Sequence, residues 1–317
     1  EKSSEFWDES NALAENNDMD QNLAYMYMML KMARGKVLFT KETLNKKGEE
    51  ISFFPGVVQW FDRIRQYGKD KGVLIEHYII SSGLKEMIEG TVLAKNNEFE
   101  EIYASSFYYD DKGVAVWPAQ VVNYTNKTQF LFRIEKGTLN INDPGVNESF
   151  DPKDVRVPFR NIVYIGDSDT DVPCMKLVNS YGGHSIAVYN PNNNDKTQAY
   201  KMMREGRIKY YAPANYLDGE ELDIIVKSII DRTVVNEKLE SIYINKRKEQ
   251  IKKDDETSKE KIEKAEMILS LENSRNYATT HLIVAKLKMI DKWAKSEIDE
   301  LFRIGVENSQ VYGVLND

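Results

Sequence analysis

The chain has 317 residues, of which 41% are hydrophobic, 11% aromatic and 30% charged. This composition excludes a wholly disordered or collagen-like chain. The length exceeds the ~100–200 residues of a typical domain, so we expect a main domain with an accessory module. The 43 basic and 51 acidic residues give a formal net charge of −8, which opposes binding to nucleic acid.

Cysteine content and hydropathy indicate a cytoplasmic protein without a membrane partner. Cys174 is the single cysteine, so an internal disulfide framework is excluded, and no group of Cys and His has the spacing of a zinc site. No uninterrupted apolar run approaches the ~18–20 residues that span a bilayer, and the acidic first ten residues do not resemble a signal peptide.

The first part of the chain predicts helices and one buried strand. Apolar spacing predicts a helix at residues 5–34 that ends at Gly35, and its Met- and Tyr-rich stretch fits core filling better than the lining of a substrate pocket. A second helix is predicted at 57–67. The β-branched run at 73–80 predicts a buried strand, which is followed by a turn at 81–83 and a short helix.

The middle of the chain predicts a hairpin, a helix and a second buried strand. Residues 101–117 alternate in the manner of two strands around a turn at 111–113. A helix is predicted around residues 130–134 and a loop at 138–158. The apolar run at 162–165 predicts a short buried strand.

Further elements continue the alternation of strands and helices. A helix is predicted at 172–179, a strand at 185–189 and a helix at 222–230. This order predicts an α/β fold with a mainly parallel sheet, whose ligand site lies at the carboxyl ends of the strands.

The tail from about residue 235 to 317 is almost purely helical in pattern. Five apolar residues at helical spacing predict one buried face: Leu287, Ile290, Ala294, Ile298 and Leu301. We expect a helical hairpin that packs on the core or on a second copy of the chain.

Polar residues after the first buried strand form a candidate phosphate site. The Ser81 hydroxyl, the turn amides of Ser82 and Gly83, and the ammonium of Lys127 are groups that hold and neutralise a phosphoryl oxygen. The simpler alternatives are that Ser81 caps the following helix and that Lys127 is a solvated surface lysine.

The second buried strand ends in a cluster of acids. Asp167 and Asp171 provide the hard oxygen ligands that suit Mg²⁺. A turn and N-cap cluster is the alternative, but several acids at one strand end repel each other unless a cation is present. The role of Asp169 is less defined, and His77 inside the first strand is interpreted as a core residue.

These signals, taken in order, resemble the motifs of the haloacid dehalogenase (HAD) superfamily. Tyr-Ile-Ile-Ser-Ser-Gly at residues 78–83 resembles its second motif, Lys127 its third, and Tyr-Ile-Gly-Asp-Ser-Asp-Thr-Asp at 164–171 its fourth. The intervening hairpin and residues 212–219 resemble the phosphoserine-phosphatase-like branch. The resemblance covers about residues 50–235.

The resemblance implies a domain organisation and a missing element. It implies a helical cap segment at 1–50, a Rossmann-like α/β core at 51–235 and a helical extension at 236–317. The family's first motif, an Asp-x-Asp whose first Asp is the nucleophile, has no counterpart, because Asp18-Met19-Asp20 follows no strand. We therefore expect that this motif and its central strand lie upstream of Glu1.

Two hypotheses about function follow. The first is a phosphatase that hydrolyses a phosphorylated small molecule through an aspartyl-phosphate intermediate, with Ser81, Ser82, Gly83 and Lys127 on the phosphoryl group and Mg²⁺ on Asp167 and Asp171. The second is a catalytically inactive version of the fold that binds partners through its helical tail. The acids of the fourth motif favour the first.

Overall fold

The computed structural model describes residues 3–149, 155–254 and 259–315. Within these residues, the helices span Ser3–Asn16 (α1), Gln21–Ala33 (α2), Lys41–Glu49 (α3), Val57–Asp70 (α4), Lys85–Gly90 (α5), Val92–Lys95 (α6), Thr128–Lys136 (α7), Val172–Ser180 (α8), Thr197–Arg204 (α9), Glu221–Asp254 (α10), Lys259–Glu272 (α11), Tyr277–Leu287 (α12), Lys295–Glu307 (α13) and Ser309–Leu315 (α14). The strands span Tyr78–Leu84 (β1), Glu101–Tyr109 (β2), Ala115–Gln120 (β3), Val163–Gly166 (β4), His184–Tyr189 (β5) and Tyr210–Pro213 (β6).

The strands form two three-stranded sheets, in the orders β1-β2-β3 and β4-β5-β6. β1 runs parallel to β2, with Tyr78 opposite Glu101, and β5 runs parallel to β6. β2 and β3 form the predicted antiparallel hairpin. The predicted α/β class with parallel strand pairs is therefore confirmed, as are helical regions at both ends of the chain.

The chain forms two compact units. The first contains the residues up to Leu131 together with Val163–Leu177 and Ser185–Ser228. The second contains Phe132–Ile162, Val178–His184 and the residues from Ile229 onward. All the candidate site residues belong to the first unit. The three-part division inferred from the resemblance stays a prediction.

The helix predicted at residues 5–34 is in fact two helices, α1 and α2. The break lies at residues 17–20, where Asp18 has a positive φ of 49° and Asp20 caps α2 by accepting the amides of Asn22 and Leu23. An N-cap aspartate supplies an acceptor for amides that have no partner within the helix. The interpretation of the Met-rich stretch as core is confirmed, because Tyr25, Met26 and Met28 of α2 are buried.

The first strand begins later than predicted. It was expected at residues 73–80, but pairing starts at Tyr78, because β2 offers its first partner there and the amide of Glu100 bonds the carbonyl of His77. Residues 81–83, expected to form a turn, are the distal part of β1, and a shift of register separates Ser81 from Leu84. A strand exists only where a neighbour satisfies its backbone groups.

The tail is not a hairpin. α10 runs without interruption for 34 residues from the core sequence into the tail, and α11 to α14 follow it. The predicted apolar face does not lie on one helix, because α12 ends at Leu287 and α13 begins at Lys295. Leu287 nevertheless lies in the cluster that the tail helices bury, and Ile290 and Leu301 pack against it, whereas Ile298 is 39% exposed.

Four elements were not predicted individually: α3, α6, α9 and β6. Each is nine residues or shorter, so periodicity alone did not indicate it. In the part of the chain that the structure describes, no helix has the length and apolar character needed to cross a membrane.

Candidate functional site

Gly166 permits the close return of the chain that forms the acidic cluster. It is the last residue of β4, and a Cβ atom built on it would lie 2.8 Å from the Asp171 side chain. Contacts that short do not occur between ordinary carbon atoms, so a larger residue would displace the aspartate. The Gly-Asp pair of the motif therefore has a steric reason, because glycine lets the later carboxylate fold back against the strand end.

Lys127 and Asp171 form a buried ion pair. Lys127 Nζ lies 2.7 Å from Asp171 Oδ1, and the two residues are 4% and 6% exposed. The alternative interpretation of Lys127 as a solvated surface lysine is therefore wrong. The ammonium supplies the cation that an acidic strand end requires, since a buried charge is tolerated only with a partner.

The remaining acceptor positions of Asp171 are also occupied. The hydroxyl of Tyr164 donates to Oδ1 at 2.8 Å. Oδ2 accepts the hydroxyl of Ser168 at 3.1 Å and the amide of Asp167 at 3.3 Å. A carboxylate offers about four acceptor positions, so Asp171 is saturated by protein donors.

Asp167 has a different environment from Asp171. Its side chain is exposed. Partial desolvation raises the pKa of the Asp167 carboxyl, and the negative charge of Asp171 raises it further; a hydrogen bond from its own backbone amide and the charge of Lys127 compensate only in part. A cation at this position would relieve that repulsion.

The donor set fits Mg²⁺ at one carboxylate. Within the described residues, no group of three or more His, Cys, Asp and Glu side chains could hold a metal ion. Mg²⁺ keeps several waters and binds through one or two carboxylates, so the open oxygens of Asp167 suit it. The assignment of Asp171 as a second ligand stays a prediction, and its four protein donors argue for a different role.

The end of β1 carries the serine loop, residues 81–83, which is held by a hydrogen bond between its own residues. Ser81 Oγ accepts the amide of Gly83 at 3.0 Å, which is a local bond where the register of β1 shifts. It does not cap α5, whose N-cap residue is Leu84 and makes no side-chain cap bond. Ser82 Oγ is buried and has no hydrogen-bond partner in the described structure. A buried hydroxyl without a partner is unusual and is a candidate donor to a ligand.

Helix α2 and its N-cap residue contact two segments of the candidate phosphate site, the serine loop and the loop at residues 122–127 that leads to Lys127. The Tyr25 hydroxyl donates to the carbonyl of Ser82 at 2.7 Å. Near the Lys127 loop, the Asn22 side chain donates to the carbonyl of Val122 at 2.6 Å, and the Asn123 side chain donates to Asp20 Oδ2 at 2.7 Å. One turn of α2 therefore connects the two loops.

Asn123 organises the turn that leads to Lys127. Its side chain accepts the amides of Thr125 and Asn126, and its carbonyl accepts the Lys127 amide at 3.1 Å. Asp20 is fully engaged as an N-cap and as the Asn123 partner, which agrees with the rejection of Asp18-Met19-Asp20 as a nucleophile motif.

The other two residues of uncertain role lie outside this cluster. Asp169 is exposed and contacts Gln198 and, at 3.7 Å, Lys201 of α9. His77 packs edge-to-face on Phe61, and burial, with a smaller effect of Arg65, lowers its pKa to about 4. His77 is therefore a neutral packing residue, as predicted, although its buried Nδ1 atom has no hydrogen-bond partner in the described structure.

Sequence reasoning did not single out Tyr164, Tyr25 and Asn123 for the site. Tyr164 stands inside an apolar strand and Tyr25 inside a Met-rich helix, so both read as core residues. The one available signal was the pair Asn123 and Asn126, whose short side chains are typical of a turn that bonds its own backbone.

Comparisons with known proteins give one sequence similarity and one structural similarity to describe. No family model matches the chain. A curated protein of Borreliella burgdorferi, described as uncharacterized, is 33% identical over 193 residues, which are 55% of this chain and 65% of that protein. A solved structure of a HAD family hydrolase from Salmonella enterica serovar Typhi aligns with 70% of this chain and 60% of its own, at a TM-score of 0.44 and 19% identity. The chain thus spans less than two thirds of either protein.

Proposed function

We propose that the protein is a magnesium-dependent phosphatase of the HAD superfamily, in its phosphoserine-phosphatase-like branch, and that it acts on a phosphorylated small molecule. The observation that carries the proposal is the buried pair of Lys127 and Asp171, which joins the third and fourth motif resemblances across 44 residues at 2.7 Å. A solvated lysine and a simple turn of acids would not require this pairing.

Residues of this chain would bind the phosphoryl group of the substrate. Lys127 uses one of its three N–H donors on Asp171, which leaves two for phosphoryl oxygens. The Ser81 loop presents hydroxyls and amides at the end of β1. Mg²⁺ held by Asp167 would neutralise negative charge on the phosphoryl group. The low local polarity strengthens such contacts, because the lysine is withdrawn from water.

The nucleophile belongs to a segment that we propose to pair with the free edges of β1 and β4. In the described residues, β1 and β4 are each an edge strand of their sheet. Leu74, which lies just before β1, is 84% exposed. Val73 and Ile75, together with charged residues of α4 such as Arg65 and Lys69, line a groove of about 720 Å³ beside this segment. The open N–H and C=O groups of an edge strand can pair with an added strand.

In the proposed reaction, a carboxylate oxygen of that added strand forms a bond to phosphorus while the ester P–O bond breaks, and the leaving alkoxide takes its proton from water. Water then hydrolyses the acyl phosphate, which releases inorganic phosphate and restores the carboxylate.

Exchange of backbone amides with deuterium tests the added strand. The amides of β1 should be more protected in a longer protein that carries the proposed strand before residue 1 than in residues 1–317, and equal protection would contradict it.

Phosphate release from a panel of phosphomonoesters tests the function. The extended protein should turn over at least one ester only with Mg²⁺, and Asp167→Ala should abolish this turnover. Asp169→Ala is the matched control, since Asp169 is an exposed acid two residues away whose side chain contacts Gln198 and Lys201 of α9. A folded protein with no turnover and no Mg²⁺ binding would instead support an inactive, partner-binding role.

A further inference from the structure

Tyr164 places a hydroxyl in the interior of the candidate site. It lies in β4, is 8% exposed, and donates to Asp171 Oδ1 at 2.8 Å. The same hydroxyl interacts with the thiol of Cys174, which is fully buried. The result is a buried chain of donors and acceptors that runs from Cys174 through Tyr164 and Asp171 to Lys127.

The hydroxyl is not needed for packing. A phenylalanine would fill the same volume without bringing a polar atom into a buried strand, where an O–H group must find a partner. Here the partner is the oxygen that also binds Lys127, so the phenol and the ammonium share one acceptor. Burial and the charge of Asp171 raise the pKa of the Tyr164 phenol far above its ordinary value, so it remains a donor.

The four donors around Asp171 define its orientation. Tyr164 and Lys127 hold Oδ1, whereas Ser168 and the Asp167 amide hold Oδ2 at longer distances of 3.1 and 3.3 Å. The two bonds to Oδ1 are the short ones. Without the phenol, rotation of the carboxylate would be opposed only by the two longer bonds and by Lys127 itself, which would follow the carboxylate.

We infer that Tyr164 is a positioning residue, which fixes the Asp171 carboxylate so that the free donors of Lys127 stay directed at the phosphoryl group. The inference rests on the proposed function. It assigns Asp171 to the lysine side of the site and leaves Asp167 as the carboxylate available to a metal ion. Loss of the hydroxyl should therefore weaken oxyanion binding and turnover without changing the response to Mg²⁺.

Tyr164→Phe in the extended, full chain tests this inference. Its matched control is Tyr103→Phe, which also removes the hydroxyl of a buried tyrosine, 1% exposed, and keeps the ring that stacks on Phe130. Affinity for tungstate, an inorganic oxyanion, is measured by calorimetry with Mg²⁺ present. We measure kcat, KM and the Mg²⁺ midpoint on the best ester of the panel, and thermal unfolding checks each fold.

We expect Tyr164→Phe to bind tungstate roughly tenfold more weakly and to lose a similar factor in kcat, with the Mg²⁺ midpoint unchanged and Tyr103→Phe equal to wild type. Tungstate affinity and kcat within twofold of wild type would overturn the positioning role while the phosphatase proposal stands. An equal loss in Tyr103→Phe would also overturn it, since any buried hydroxyl would then suffice. Wild type that neither binds tungstate nor turns over would overturn both. If Tyr164→Phe does not fold, the same measurements on Ser168→Ala, which removes the Oδ2 hydrogen bond of a partly exposed residue to Asp171, test the positioning of this carboxylate, and unchanged tungstate affinity and kcat would overturn it.

Discussion

Burial of Glu135 makes the stability of this protein depend on pH. The residue lies in α7, is 3% exposed, and its Oε2 atom has no hydrogen-bond partner in the described structure. Desolvation raises the pKa of the Glu135 carboxyl from 4.5 to about 7, against a smaller lowering effect of Lys136. The carboxyl is therefore protonated in the folded state at a pH where the unfolded chain has released its proton.

The sign and size of the effect follow from proton linkage. Glu135 has a higher pKa in the folded state than in the unfolded state. It therefore leaves the free energy of unfolding unchanged below pH 4.5 and lowers it as the pH rises toward 7. The difference between the two pKa values corresponds to roughly 3 kcal/mol of stability lost by pH 8. Glu135→Gln cannot ionise, so the variant should gain up to this amount relative to wild type between pH 4.5 and pH 8.

Urea unfolding of both proteins at pH 4.5, 6 and 8, followed by circular dichroism, measures the gain. The decisive quantity is the change with pH in the stability difference, because a constant offset reports only how well the amide fits. Glu266→Gln is the matched control, since Glu266 is an exposed glutamate of the same compact unit. A stability difference that does not change with pH would refute the reasoning.

Four further predictions concern single residues. Lys127→Met leaves Asp171 as an unpaired buried charge and should lower the free energy of unfolding by about 3–5 kcal/mol, with recovery in the double variant Lys127→Met, Asp171→Asn. Gly166→Ala should cost about 1–3 kcal/mol, because its Cβ meets the Asp171 side chain at 2.8 Å; thermal unfolding measures it, and an unchanged Tm would contradict the clash. Tyr25→Phe removes one buried bond to the serine loop and should lower stability by about 1 kcal/mol in urea; no loss would mean that water replaces the bond. His77, with a pKa of about 4, should make stability fall as the pH drops from 6.5 toward 4, and His77→Gln should remove this part of the dependence.

The sequence by itself determined the fold class and the order of most elements. Apolar runs and turn residues indicated the β2-β3 hairpin, α7 and the short strand before Asp167, because each depends on local propensity and on the burial of adjacent residues. The composition of the motif segments likewise directed attention to Ser81, Lys127 and Asp171, since few residue types hold phosphate or metal ions.

Only the tertiary structure decided what each of these residues touches. The start of β1 depends on where β2 offers partners, and the division between α12 and α13 depends on packing within the tail. The pairing of Lys127 with Asp171 and the bond from Tyr164 join residues that no local pattern relates. Hydrogen bonds and buried charges are contacts between distant segments, and their partners become defined only when the chain brings those segments together.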